Sequence, residues 1–303
     1  SDRTRLSLGL RRTTDEFTSK QDNFVSILMP APVIAAQTCD REVVTEYSST
    51  TSRAVIQHDL TSGGNVYASL SEGFKAGGYA TYECTEPYDP EEVTSLELGY
   101  KGSLGENTSI NASLFRYDYT DFQVLQVVGI QTVTRNAGDA TVNGLELEAL
   151  SNLNDSLSMS YGLTLLDATY GEFLNTNGLE PQLGQQQLEG KYLNNAPKVS
   201  VNLGLNYTTN LSSGSSLTYR ANAAYKSKIY FSEFNEYSQS AYTIVDLNLI
   251  WESADDRMRT RFYVKNATDE EYISGYLSSA TGGGRFGQWG YPRTAGIEIQ
   301  RNF

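Results

Sequence analysis

Connections of two lengths take turns along this chain, and that regularity restricts the fold more than any single motif does. The segments they join alternate apolar and polar residues. In 216–226, Leu217, Tyr219, Ala221, Ala223 and Tyr225 fall on one face, and Thr218, Arg220, Asn222, Ala224 and Lys226 on the other. A period of two is the mark of a pleated strand whose two faces meet different surroundings. Leu157, Met159, Tyr161, Leu163 and Leu165 obey the same rule, as do Val199, Val201, Leu203, Leu205 and Tyr207, and then Val245, Leu247, Leu249 and Trp251. In 257–265, Met258, Thr260, Phe262 and Val264 alternate with Arg257, Arg259, Arg261, Tyr263 and Lys265, so the second face is cationic and wet.

About twelve strands are expected, near 4–12, 52–58, 65–74, 93–102, 107–123, 133–150, 156–169, 198–208, 216–228, 241–251, 256–266 and 293–303. Short polar turns fall at 60–64, 103–106, 152–155, 210–215 and 252–255. Long connections fall at 13–51, 75–92, 170–197, 229–240 and 267–292, with a shorter one near 124–132. A soluble sandwich has no reason to gather its long connections at one end, whereas bacterial outer-membrane barrels keep short turns on the periplasmic side and long loops outside. One strand loses phase: Ile110, Ala112 and Leu114 give way to Phe115, Tyr117 and Tyr119 on the opposite face. A bulge explains this, and so does a strand that outruns the membrane.

Composition agrees. The 303 residues carry 23 Lys and Arg against 36 Asp and Glu, a net charge of −13. Neutralising phosphates needs clustered cations, so no nucleic-acid partner is expected. No stretch approaches the ~18 to 20 apolar residues of a spanning helix. The chain holds 21 Tyr but only 3 Met, a bias toward side chains that suit a pleated surface. It opens on Ser with no leader-like segment ahead of the first strand, which leads us to expect a mature or truncated piece.

Several strings then resemble the C-terminal part of the TonB-dependent outer-membrane receptors. Tyr67 to Tyr79, ending Phe74-Lys75-Ala76-Gly77-Gly78-Tyr79, resembles a strand exit of that family, and Asp89-Pro90-Glu91-Glu92-Val93 through Gly99 the next strand entry. Arg135-Asn136-Ala137-Gly138, Val142-Asn143-Gly144-Leu145-Glu146, Asn195-Ala196-Pro197-Lys198, Val264-Lys265-Asn266-Ala267-Thr268-Asp269 and Tyr291-Pro292-Arg293-Thr294 follow in family order, closing on Phe303. The match is dense from Asn65 onward and loose before it. Gly77-Gly78 is expected to turn the chain out of the barrel by positive φ. The aromatic end at Phe303 resembles the signal read by the barrel assembly machinery.

What the resemblance implies is an all-β, antiparallel transmembrane barrel portion. About twelve of about twenty-two strands would lie in 1–303, and the plug domain and N-terminal strands would be absent. In isolation, the sheet is expected to stay an open curved trough. The implied function is energy-dependent uptake of a scarce ligand across the outer membrane of a Gram-negative bacterium, first of all a ferric siderophore. A periplasmic energy-transducing protein would act through the missing plug, with outer-membrane lipid around the wall. The alternative is a passive twelve-stranded porin.

No enzyme is expected, because a rim hydrolase needs a His-assisted nucleophile or water and the single histidine, His58, adjoins a short turn. No cofactor and no metal ligand cluster is expected, so any iron would arrive already chelated. Tyr100, Tyr207, Tyr225, Tyr242 and Trp251 read as headgroup-level girdle rings, and Arg220 with the cations of 257–265 as solvated lumen lining. The loop residues Phe74, Lys75, Tyr79, Tyr230, Phe231, Phe234, Tyr237, Tyr272, Tyr276, Phe286 and Trp289 are candidate ligand contacts, loop packing being the plainer reading. Cys39 and Cys84 both fall in long loops and either form a bridge or stand as two small unpaired residues.

Overall fold

The computed structural model describes residues 2–21, 41–79, 87–128, 131–136, 138–279 and 284–303. Cys39 and Cys84 lie outside them. In chain order the strands are β1 (Thr4–Gln21), β2 (Arg41–Asp59), β3 (Asn65–Lys75), β4 (Glu91–Leu104), β5 (Thr108–Thr120), β6 (Gln123–Val128), β7 (Gln131–Asn136), β8 (Ala140–Asn154), β9 (Leu157–Tyr170) and β10 (Leu174–Thr176). There follow β11 (Gln185–Gln187), β12 (Val199–Asn210), β13 (Ser216–Lys226), β14 (Ile229–Tyr230), β15 (Ser238–Gln239), β16 (Tyr242–Glu252), β17 (Met258–Lys265), β18 (Ile273–Ser279), β19 (Gly284–Trp289) and β20 (Thr294–Arg301). A 3-10 turn, Pro181–Leu183, precedes β11.

Twelve of these form one antiparallel sheet in the order β1-β2-β3-β4-β5-β8-β9-β12-β13-β16-β17-β20. Neighbours in sequence are neighbours in space apart from the excursions in the long connections. Among the described residues β1 and β20 each pair on one side only, so the sheet is open.

Register puts the apolar residues in rows across the strands. Leu98 faces Leu114, Leu114 faces Leu145, and Leu145 faces Leu165, which meets Val199. Farther along, Leu249 faces Phe262 and Phe262 faces Ile297. Side chains alternate sides along every strand, so all of these share one face, and that face stays open: Leu8 is 74% exposed and Ile297 62%. A leucine-lined wall with nothing packed on it suits a lipid solvent.

The opposite face is polar. It carries Glu97, Glu146, Arg220 and Arg261, and Arg261 reaches Asn248 Oδ1 at 2.8 Å and Glu298 at 3.4 Å. Arg259 meets Glu252 at 3.4 Å. Tyrosine and phenylalanine rings lie flat across glycines of the next strand on this face: Tyr67 over Gly99, Phe115 over Gly144 and Tyr263 over Gly296.

The expected strands are present, with four differences. β1 and β2 run far past the expected 4–12 and 52–58. β2 pairs with β3 only over Arg53 to Asp59, so their upper parts rise as a two-stranded ribbon. Thr, Ser and Val keep those residues extended there, but one face is only half-buried, around Tyr47, and polar residues fall on both, so the alternation fades in the sequence. The segment expected as one strand over 133–150 is two, β7 and β8, parted at Gly138, whose φ of 87° no strand accommodates. Pairing through β5 is continuous with both neighbours, so the phase change at Phe115 is no bulge; its rings belong to the polar face. Finally, the long connections fold into hairpins β6-β7, β10-β11, β14-β15 and β18-β19.

Candidate functional site

The long connections gather at the end of the sheet away from the turns, and particular side chains set their geometry. Asn136, from the Asn-Ala-Gly string, donates from Nδ2 to the carbonyl oxygens of Asp89 and Asp121, and its Oδ1 accepts from the Asp89 N–H. Asn266 does the same farther on. At φ 47° it is 4% exposed, donates to the carbonyls of Glu270 and Tyr291, and accepts from the Glu270 N–H. A short amide side chain supplies both donor and acceptor where a strand ends, and at Asn266 it also tolerates the left-handed backbone.

Gly77 and Gly78 work differently from the expectation. Neither has positive φ. A Cβ at Gly77 would lie 2.1 Å from the Tyr88 carbonyl oxygen and 2.6 Å from the Tyr47 ring, so the requirement is close approach of two chains. Tyr47, buried on the ribbon, donates its hydroxyl to the Tyr88 carbonyl at 2.9 Å.

A small hydrophobic core holds the loops together. Tyr170, Phe173, Leu188 and Phe234 are its buried members, with Phe122, Val124 and Leu193 against them. Above it stand two ring columns. Tyr276 lies between Phe231, at 5.8 Å, and Tyr237, at 5.2 Å, nearly parallel to both, and the Arg285 guanidinium caps Tyr237 at 4.0 Å while meeting Glu180 at 3.4 Å. In the second column Lys198 lies over Tyr192 at 4.1 Å, Tyr192 stacks on Tyr230 at 5.9 Å, and Lys228 lies over Tyr230 at 4.5 Å. The Tyr192 hydroxyl beside Lys198 holds its ammonium above the usual lysine range.

Polar contacts tie the hairpins as well. Asn175 donates to Glu233 at 3.1 Å and Asn177 to Glu236 at 3.0 Å. Burial pushes the Glu233 carboxyl up, with Glu236 nearby adding to the effect. Burial also raises the Tyr276 hydroxyl, beside the same two carboxylates.

The candidate contacts therefore divide. Tyr230, Phe231, Tyr237 and Tyr276 meet in the two columns, whereas Phe234 is in the loop core, 5% exposed. Tyr272 stacks on Tyr242 at 4.6 Å and covers Gly290. Tyr242 thus takes the polar face rather than the girdle its position at a strand end suggested. Phe74 faces Glu92 in the β3-β4 ladder, Lys75 is exposed, and Tyr79 is half-buried beyond the Gly78–Tyr88 bridge. Phe286 and Trp289 stay open at 54% and 67%. Phe303 is fully exposed, with the Arg301 guanidinium 5.2 Å from its ring. Sequence reading missed Asn175, Asn177, Tyr192, Glu233, Glu236 and Arg285, because polar loop residues carry no periodicity. Among the described residues no group of three or more His, Cys, Asp or Glu converges as a metal site.

A one-sheet wall, apolar outside and polar inside, with every long loop at one end, is the wall of an outer-membrane barrel. Residues 1–267 match the family model of the TonB dependent receptor-like β-barrel, and the chain belongs to that family. It is 22% identical to the ferrioxamine B receptor of Salmonella typhimurium over 231 residues, covering 75% of this chain and 31% of that protein. With the ferric-pyoverdine 358 receptor of Pseudomonas putida it shares 24% identity over 289 residues, covering 90% of this chain and 30% of that protein. The chain thus spans under a third of the curated relatives it matches. Among solved structures, the ferric yersiniabactin uptake receptor FyuA of Yersinia pestis superposes with a TM-score of 0.78 at 20% identity, over 100% of this chain and 44% of its own. The siderophore receptor PiuA of Acinetobacter baumannii gives 0.76 at 20% identity, over 99% and 40%. These likenesses establish the fold, and the family places it in the outer membrane of Gram-negative bacteria.

Proposed function

We propose that this chain is the C-terminal part of a receptor that captures a ferric siderophore at its extracellular loops and passes it inward when a periplasmic energy-transducing protein acts on a plug. The observation that carries this reading is the cross-tied loop cluster above a lumen-facing polar wall, in a chain whose relatives are named as receptors for ferrioxamine B and ferric pyoverdine. Rings held by stacking present preformed surfaces at little entropic cost. The exposed Phe286 and Trp289 of β19, with Lys75 and Tyr79 at the exit of β3, are the outermost contacts in this proposal.

In this reading the remaining strands and the plug belong to the same receptor, Phe303 is the handle for the barrel assembly machinery, and iron is cargo that arrives already chelated. A transporter of this kind needs no catalytic residue. The test is uptake of radiolabelled ferric hydroxamate, catecholate and citrate complexes by cells with and without the gene, under iron limitation. Gene-dependent uptake of one complex that stops with a protonophore is the expected result. Uptake that survives the protonophore points to the porin instead, and no gene-dependent uptake of any complex overturns the reading.

A further inference from the structure

The second ring column stands on the outer side of the wall. Tyr192 bridges directly to Thr169, and residues directly opposite each other in an antiparallel pair share a face. β8 and β9 pair without a shift from Ala140 to Asn152, so Thr169 lies on the face of Leu163, Leu165 and Asp167. That is the apolar face. Tyr170, one residue further, turns the other way and enters the loop core. Tyr230 stacks on Tyr192, and Lys198 and Lys228 close the two ends of the stack.

Below the column on the same face, Leu98, Leu114, Leu145 and Leu165 line an open groove of about 510 Å³, with Asn143, Asp167 and Lys198 at its rim. Lys198 thus belongs to both groove and column. The step from the Leu145–Leu165 pair to the Asn143–Asp167 pair marks where this face stops being apolar. The column stands just beyond that step, at the level where aromatic rings and long cationic side chains meet lipid headgroups.

The cations of the rim are not equivalent. Arg116 is held by Asp118 at 2.7 Å and reaches Asn143 at 3.4 Å. Among the described residues Lys198 and Lys228 form no ion pair. Lys198 donates to the Tyr192 hydroxyl, with the exposed Asp167 acting on it from beyond ion-pair distance, and Lys228 engages the face of the Tyr230 ring. Two ammonium groups without an acid partner stand out in a chain of net charge −13. A free anion would leave the leucine groove uncovered, and a neutral lipid would leave the lysines unanswered. An anionic amphiphile meets both.

We propose that groove and column together form a docking site for a phosphate-bearing lipid of the outer leaflet. Its acyl chain lies along Leu98, Leu114, Leu145 and Leu165, Lys198 takes its phosphate, and Lys228 adds to the positive field over the ring stack. The strands that build the site, β4 to β12, lie in the middle of the sheet and away from its open edges, so the chain carries the groove whole.

The test uses the full chain folded in micelles of a neutral detergent. The probes are lauroyl lysophosphatidate, its uncharged counterpart monolauroylglycerol, and glycerol 3-phosphate as the headgroup alone, each counted on the protein by native mass spectrometry. One lysophosphatidate per chain should be retained, about fivefold more tightly than monolauroylglycerol, the contribution of one lysine beside an anionic headgroup. Lys198→Gln should remove that preference and Lys228→Gln should reduce it. Lys226→Gln should leave it unchanged, because Lys226 lies on the polar face, opposite Ser200 and Tyr242. Near-ultraviolet circular dichroism of the stacked tyrosines reports whether each variant keeps the column. Equal retention of the two lipids, a preference that survives in folded Lys198→Gln, the same loss in Lys226→Gln, or displacement by equimolar glycerol 3-phosphate overturns the proposal. The receptor reading stands or falls separately, on uptake of a ferric complex.

Discussion

The Tyr67 ring covers Gly99 on the adjacent strand and hydrogen-bonds through its hydroxyl to Glu97. A Cβ at position 99 would lie 2.3 Å from the ring, and the two residues face each other directly in the β3-β4 ladder. The glycine is thus the floor that lets a large ring lie flat against the polar face, and Glu97 fixes the direction in which it lies. Phe115 on Gly144 and Tyr263 on Gly296 repeat the arrangement.

Gly99→Ala should therefore lift Tyr67 and break its contact with Glu97. Overpacking of this kind destabilises by about 1–3 kcal/mol. The double change Gly99→Ala with Tyr67→Ala should recover part of the loss, because the ring that clashes is gone. Urea midpoints of the micelle-folded chain measure both, and strict additivity of the two changes would count against the covering arrangement.

At Gly77 the constraint is backbone against backbone. Gly77→Ala should push the 75–90 connection away from Tyr47 and expose that ring, whereas Gly105→Ala, which meets no atom but carries a φ of 66°, should disturb only its own turn. Tyrosine accessibility to a water-soluble quencher distinguishes them: Gly77→Ala should raise it, and Gly105→Ala should not.

Tyr276 joins two hairpins through two stacked contacts. Each such pair is worth about 0.5–1.5 kcal/mol beyond its buried area, so Tyr276→Ala should loosen the loops by roughly 1–3 kcal/mol without unfolding the wall. Limited proteolysis should show faster cleavage within 229–239 and unchanged protection of β12 and β13. Equal acceleration in both regions would mean that the column supports the sheet as well.

Glu233 gives the loops a pH dependence whose sign follows from its burial. Desolvation lifts its carboxyl above the ordinary glutamate range, so just above that range the folded loops retain a proton the unfolded chain has released. The stability this contributes is complete below the unfolded value and falls as pH rises through the raised folded one. Loop protection against proteolysis should therefore decline from about pH 4 upward, and Glu233→Gln should flatten that decline. The groups facing Glu233 are Asn175, Asn194 and Glu236, so no cation reverses the sign.

The open edges make a prediction for the isolated chain. Among the described residues β1 and β20 each pair with a strand on one side only, and in hydrocarbon a backbone group left without a partner costs several kcal/mol. Residues 1–303 added to planar bilayers should give irregular, short-lived currents. Uniform, long-lived conductance steps would show that the two edges can close on each other.

The twelve wall strands and the side taken by most of their residues, though not by Tyr242, were legible in the sequence, because a wall between lipid and water writes its two solvents into the chain with period two. Leu145 and Glu146 declare their faces without any neighbour's help. The ribbon above Arg53 was not legible, since Thr and Ser such as Thr13 and Ser48 fall on both of its faces and the sequence loses the alternation while keeping the pairing. Nor were the loop contacts. Asn177 and Glu236 lie on hairpins far apart in sequence, and nothing local marks either one. Phe234 and Phe231 looked equivalent as loop aromatics, yet one is in the core and the other in a column. The environment of a membrane strand is set by the bilayer and repeats along the chain, so sequence alone determined it. The environment of a loop residue is set by whichever other loops reach it, and only the tertiary structure decided that.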